Sequence, residues 1–334
     1  MKPLLGAPLW VLSALVLAVG VGVLIRWRVR MGIRILGGLA LVLPGLAGGL
    51  VGGYGFWFTH RSQPPPVREE WFEGVRYERR VFQQPRPVVA HLVWVDLQAP
   101  GVEFVVTPPQ PSAEGEVFAD KTTGFAARHG VQLAINANYF YPFHNTHPLN
   151  YEPHVGQPVH IVGMAASQGR VYGSPEKRMV TLYLSRENRV SFVHPLGEVW
   201  HAISGLGYVV RDGATVQEHF ADDGFTRIPY ARMLAGADAT GRYLLLLTVE
   251  GKQPGYSEGL TLEEAADLLL EQGAHTGIQL DGGGSATLVR QEADGRVQLV
   301  NTPTHFRIAG WERVVATHLG VYARRLPRVE PRKE

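Results

Sequence analysis

The sequence predicts an α+β fold, a mixed β-sheet domain with few helices, preceded by two transmembrane helices. Two apolar runs fill most of the first 60 residues. Short β-branched and aromatic runs separated by turn residues dominate the rest of the chain, where only two stretches have helical period.

The membrane elements come first. Leu9 to Ile25 and the Gly-rich Ile35 to Phe58 are each long enough to cross the roughly 30 Å hydrocarbon layer as helices. The connection between them carries Arg26, Arg28, Arg30 and Arg34, whereas Lys2 is the only charged side chain before the first run. The positive-inside bias places that connection in the cytoplasm and everything after Phe58 on the extracytoplasmic side of the cytoplasmic membrane. A cleaved signal peptide is the rival reading, but the charged n-region is weak and no small-residue cleavage site precedes the arginines. Gly45 and Gly49, then Gly48 and Gly52, have the spacing that lets helix backbones approach, and Tyr54, Phe56 and Trp57 fall where an interfacial aromatic belt is expected.

Residues 1–60 therefore read as an anchor and residues 61–70 as a linker kept extended by Pro64, Pro65 and Pro66. Residues 71–326 read as the folded domain and 327–334 as a polar tail. The 334-residue length supports a substantial core. A formal net charge of +2 from interleaved acids and bases argues against a nucleic-acid partner. The absence of cysteine excludes disulfides, thiolate zinc sites and cysteine nucleophiles without fixing the compartment. The sequence leaves the oligomeric state open.

Within the domain, strands are expected at Val88 to Leu97, Glu103 to Thr107, Val131 to Asn136, Met179 to Ser185, Arg189 to Val193 and Tyr208 to Arg211. Helices are expected at Phe118 to His129, stopped by Gly130, and at Leu262 to Gln272, stopped by Gly273. Tyr243 to Val249 is apolar throughout, the mark of a strand buried on both faces. Thr261 and Glu264 form a capping box for the second helix, and Gly277 to Leu280 is a short strand after it. If the flanking strands are parallel, Glu250 and Asp281 emerge at the same sheet edge, where open sheets bind ligands.

Asp281-Gly282-Gly283-Gly284-Ser285 puts a carboxylate at a strand end, followed by residues that bring backbone N–H groups near a ligand. Alone, this reads first as a tight turn with a capping Asp, since Gly-rich turns are common. It does not stand alone. AINANYF at 134 to 140, SGLGYVVRDG at 204 to 213, Arg232 to Gly236 leading into YLLLLTV and Glu250-Gly251-Lys252, LDGGGSAT at 280 to 287, and Asn301, Pro303, Glu312 and Arg313 occur in one order. Together they resemble the phosphodiester glycosidase family, which includes bacterial exopolysaccharide-related members. The departures are Glu250 where the family has Asp, Met233-Leu234 for Thr-Ala, and Ala137 and Asn138 for two glycines.

The resemblance implies hydrolysis of a glycosyl phosphodiester or related glycan linkage, with no cofactor and a carbohydrate or glycosyl-phosphate as partner. Breaking a sugar C1–O bond needs a carboxylate that attacks C1 or activates water. A phosphate leaving group needs cations near the departing oxygens, and arginine matches phosphate geometry. These roles fall to Asp281 as nucleophile or base, Glu250 as second carboxylate, and Arg232 and Arg313 at the phosphate. Asn136, Asn138, Gly282, Gly283, Gly284, Ser285 and Glu312 are expected to line the substrate. Glu312 and Arg313 could equally form a structural ion pair. His144, His147, His154 and His160 lie in one long loop that fits no fixed zinc spacing, so the expectation is a loop lining the site and no metal. The alternative to an enzyme is a non-catalytic sugar-binding or exopolysaccharide-assembly component using the same pocket.

Overall fold

The computed structural model describes residues 15–23, 31–110, 112, 114–217 and 224–327. These divide into two compact units, one reaching Ser62 and including Pro254–Tyr256, the other comprising Gln63–Gln253 and the chain from Ser257 onward.

In the first unit residues 15–23 are helical and α1 spans Met31–His60. Its Ala40–His60 stretch of 21 residues is long and apolar enough to cross a membrane, and Leu43, Leu46, Leu50 and Val51 are exposed along it. One such helix is seen among the described residues rather than the expected two, because much of Leu9 to Ile25 and the arginines Arg26, Arg28 and Arg30 lie outside them.

The second unit is strand-rich. Its main elements are β1 (Val67–Phe72), β2 (Val75–Phe82), β3 (Val88–Asp96), β4 (Glu103–Val106), α2 (Thr122–His129), β5 (Leu133–Asn136), β6 (His144–His147), β7 (Asn150–Glu152), β8 (Met164–Ser167), β9 (Met179–Leu184), β10 (His201–Arg211), β11 (Arg232–Ala237), β12 (Tyr243–Val249), α3 (Leu262–Glu271), β13 (Thr276–Gln279), β14 (Leu288–Gln291) and β15 (His318–Tyr322). Residues 61–66, which hold the proline run, form neither helix nor strand, and strand structure starts at Val67, ahead of the expected Trp71.

A large sheet runs β1-β2-β3-β12-β11-β13-β10-β8, with β9 also on β10, and a smaller one runs β14-β5-β15-β4. Each neighbouring pair along both is antiparallel. The expected parallel relation of β12 and β13 exists at one remove: β11 lies between them and runs against both, pairing Arg232 with Val249 and Ala237 with Thr276. Their carboxyl ends therefore share an edge.

The main core fills the space between the two sheets. Val93, Val95, Met233, Leu244, Leu246 and Ile278 from the large sheet meet Leu133, Ile135, Leu288, Leu319 and Val321 from the small one. Each such side chain contributes roughly 1.5–3 kcal/mol when fully buried. The other face of the large sheet, through Leu92, Trp94, Leu234, Leu245 and Leu247, packs on Leu262, Ala265, Ala266 and Leu269 of α3. β12 thus buries both faces, and its unbroken apolar run follows from that. The small sheet's outer face, with Val105, Ala134 and Val289, is covered by Phe125 and Ala126 of α2.

α3 carries the expected capping box, with Thr261 accepting from the Glu264 amide while the Glu264 side chain accepts from the Thr261 amide. α2 starts at Thr122, four residues later than the periodicity suggests, because Val117 and Phe118 are drawn into strand pairing with Val159 and Pro158. β10 begins at His201 rather than Tyr208; Gly205 and Gly207 disguise its first half as a turn.

Candidate active site

The loop after β13 stitches the two sheets together. The Leu280 amide donates to Met233 of the large sheet (2.8 Å), the Asp281 amide to Ala137 just past β5 of the small one (2.9 Å), and the Gly283 amide back to Ala231 (2.8 Å). Asn136 locks the crossing, its Nδ2 donating to the Asp281 carbonyl at 2.6 Å and its Oδ1 accepting from the Thr287 amide at 3.0 Å. Gly283 turns with φ +61°, and a Cβ on Gly284 would stand 2.4 Å from Arg313 Nη2. The glycines are thus needed for the arginine to lie flat against the loop. They do not offer the expected row of free amides: those of Gly283, Ser285 and Ala286 bond to nearby carbonyls, and that of Gly282 leans on the Asp281 carboxylate.

A short polar chain runs through this loop. Arg313 donates from Nη1 to Ser285 Oγ (3.1 Å) and from Nε to His305 Nδ1 (3.2 Å). Ser285, with its oxygen accepting from Arg313, directs its hydroxyl proton at Asp281. Burial raises the Asp281 carboxyl to about 6, against the opposing pull of Ser285, the Arg313 charge and the Gly282 amide. Burial also lowers Arg313, which the Asp281 and Tyr230 charges oppose, and the guanidinium stays a cation. Among the described residues Arg313 makes no contact ion pair with a carboxylate; its cation is met by a hydroxyl, an imidazole nitrogen and the Phe143 ring 4.6 Å away. His305 is pushed down to about 4, by burial first and then by Arg313 and Lys252, so its ring is neutral. Since Nδ1 accepts from Arg313, the proton sits on Nε2, which is buried without a hydrogen-bond partner.

The other expected site residues are placed differently. Glu250 emerges at the same sheet edge as Asp281, yet its oxygens are committed to His91 Nε2 (2.9 Å) and Gln253 Nε2 (3.2 Å), and His91 continues to the Tyr77 hydroxyl (2.8 Å). Arg232 is buried, and its Nε and Nη2 donate to the carbonyls of Leu260, Phe225 and Ile228 at 2.9–3.2 Å. Asn138 is buried and spent on Val162, Met164, Ser204 and Thr317. Glu312 forms no pair with Arg313; it accepts from the Thr123 amide (2.8 Å) and hydroxyl (2.6 Å) at the start of α2. Asn136, Asn138 and Glu312 thus hold the site's frame.

Sequence reasoning passed over His305 and Lys252, although Lys252 falls where the family motif has its cation. Its ammonium lies 4.0 Å over the Tyr230 ring, and Tyr230 in turn abuts Gly283. In the histidine loop, β6 and β7 form a hairpin in which His144 meets Glu152 (3.3 Å), while His160 meets Glu116 (3.2 Å). No group of three or more His, Cys, Asp or Glu able to hold a metal occurs among the described residues. Two clefts, of about 370 and 350 Å³, lie away from Asp281, one beside Phe192 and His275 and one beside α2.

A family model described as phosphodiester glycosidase matches residues 129–322, which hold Asn136, Asp281, His305 and Arg313. The chain belongs to the phosphodiester glycosidase family. The bovine N-acetylglucosamine-1-phosphodiester alpha-N-acetylglucosaminidase is 36% identical over 120 residues, which are 33% of this chain and 22% of that protein. The human enzyme of the same name is 34% identical over 120 residues, 33% of this chain and 23% of its own. The chain thus matches about a fifth of the length of these family relatives. Among solved structures, the zebrafish catalytic domain of that enzyme, auto-inhibited by its pro-peptide, superposes with a TM-score of 0.56 at 21% identity, covering 80% of this chain and 87% of that one. A Burkholderia pseudomallei protein superposes at 0.50 with 14% identity, covering 71% and 74%. Both share the fold of this chain.

Proposed function

We propose that this phosphodiester glycosidase family member hydrolyses a glycosyl phosphodiester, working outside the cytoplasmic membrane from an anchor of two helices, Leu9 to Ile25 and Ile35 to Phe58. The observation that carries the reading is the neighbourhood of a carboxyl raised to about 6 at Asp281 and a guanidinium at Arg313 that, among the described residues, makes no contact ion pair with a carboxylate.

Above pH 6 Asp281 is ionised and acts at the sugar C1. Either it removes a proton from water as the water oxygen bonds to C1, or it bonds to C1 itself and water displaces it afterwards. In both routes the C1–O bond to phosphorus breaks and its electron pair leaves on the phosphate monoester. That group is a weak base and needs no proton; the cation of Arg313 stabilises its growing charge, aided by Lys252. Ser285 holds Arg313 and Asp281 in register. Glu250, engaged with His91 and Gln253, positions the strand edge.

That commitment of Glu250 also supports a second reading, a sugar-binding or exopolysaccharide-assembly component with one available carboxylate. Incubation with a panel of glycosyl-1-phosphodiesters and plain glycosides separates the two. The hydrolase reading expects turnover of phosphodiesters, reduced about 10²–10⁴-fold in Asp281→Asn with the fold intact. Binding without turnover in the wild type, or near-normal turnover in Asp281→Asn, rejects it.

A further inference from the structure

Beside the polar chain of Asp281, Ser285 and Arg313 stands a wall of a different kind. The Phe143 ring covers the Arg313 guanidinium at 4.6 Å. His305, bonded to the same guanidinium, is ringed by Phe306 (4.1 Å), Tyr151 (5.6 Å) and Trp311 (5.7 Å), with Tyr151 and Trp311 themselves 6.2 Å apart edge to face. Phe143 and Tyr151 are brought here by the β6–β7 hairpin. This wall is not closed over: Phe143 is 38% exposed, and Tyr151, Phe306 and Trp311 are each half-buried. Contiguous apolar surface of this sort is uncommon on a folded protein unless something binds there.

A phosphodiester has two ester arms. With the phosphate on Arg313 and the sugar carbon at Asp281, the remaining arm, the alcohol that leaves with the phosphate, must extend from the phosphate past Arg313. The side chain covering that cation is Phe143. We infer that the aromatic wall of Phe143, Tyr151, Phe306 and Trp311 is the subsite for the aglycone and that it takes an apolar alcohol, alkyl or aryl. A second sugar would call for a fan of hydrogen-bonding side chains, whereas these four residues present three apolar or largely apolar faces and one phenol. The inference rests on the proposed phosphodiester chemistry.

The test uses the full chain in lipid nanodiscs and three diesters of one sugar-1-phosphate, with methyl, octyl and mannosyl aglycones. A long-chain diester embedded in the disc asks whether the alcohol comes from solution or from the membrane. Octyl is expected to exceed methyl in kcat/KM by at least about tenfold, through KM, since burial of only two of its seven additional methylenes supplies that much. Phe143→Ala is expected to bring the octyl-to-methyl ratio near one, and Phe143→Leu to restore most of it. A ratio near one in the wild type, a preference for mannosyl, or a ratio unchanged in Phe143→Ala overturns the inference. Affinities of Asp281→Asn for the same diesters, measured by calorimetry, separate it from the hydrolase reading. Tighter octyl binding without wild-type turnover keeps the subsite and rejects the hydrolase; equal affinities for octyl and methyl reject the subsite.

Discussion

Burial raises the Asp281 carboxyl from 3.8 to about 6, so the folded chain holds that proton more tightly than the unfolded one. The stability gained from this is complete below pH 3.8 and is lost as the pH rises through 6. At pH 7–8 the ionised carboxylate is therefore a burden on the fold. Asp281→Asn, which mimics the protonated form, is expected to melt above the wild type at pH 8 and to match it near pH 4. The difference should not exceed about 3 kcal/mol, at about 1.4 kcal/mol per tenfold change in proton affinity. Thermal unfolding of both chains across that pH range checks it, and a gap that does not change with pH would remove the buried-carboxyl account. Asp281 was legible in the sequence because three glycines and a serine followed it in a family order. Arg232 and Arg313 were not separable there. Both are arginines in motifs, and only the fold reveals that the carbonyls of Leu260, Phe225 and Ile228 enclose one while the other keeps neutral partners.

Glu312 shows the same logic for an element. α2 is preceded by Lys121 at its N-cap, whose side chain makes no capping hydrogen bond, and the carboxylate that serves its first turn comes from 189 residues away in the chain. Glu312→Ala is expected to cost about 1–2 kcal/mol, the usual loss for a helix cap. Amide exchange should rise across Thr122–His129 first, because that is where the orphaned donors lie; a rise confined to the Asp281 loop would instead make Glu312 a site residue. No local pattern could announce such a cap. By contrast α3 and β12 were readable almost to the residue, since the capping box and the apolar run are both local signals. β10 was half hidden, because a strand interrupted by glycines is held by its neighbours β9 and β13 rather than by its own propensities.

For the whole molecule, the proposed anchor would decide where the chemistry occurs. Ala40–His60 can cross a bilayer, and the four arginines before it give the orientation argument. The full chain is expected to sediment with membranes and to resist extraction by alkaline carbonate, with added protease removing the domain from intact spheroplasts. Release by carbonate, or protection from protease, would place the domain elsewhere. The crossing of Asp281 between two sheets has a further consequence for this design. One sheet grips the loop at Met233 and Ala231 and the other at Ala137, with Asn136 as the pin. The carboxyl proposed to act at C1 thus rides on a suture, and its aim depends on the mutual alignment of two layers that share one core. Wear anywhere along that seam would blunt the proposed activity before it undid the fold, which ties that activity to core packing far from any substrate.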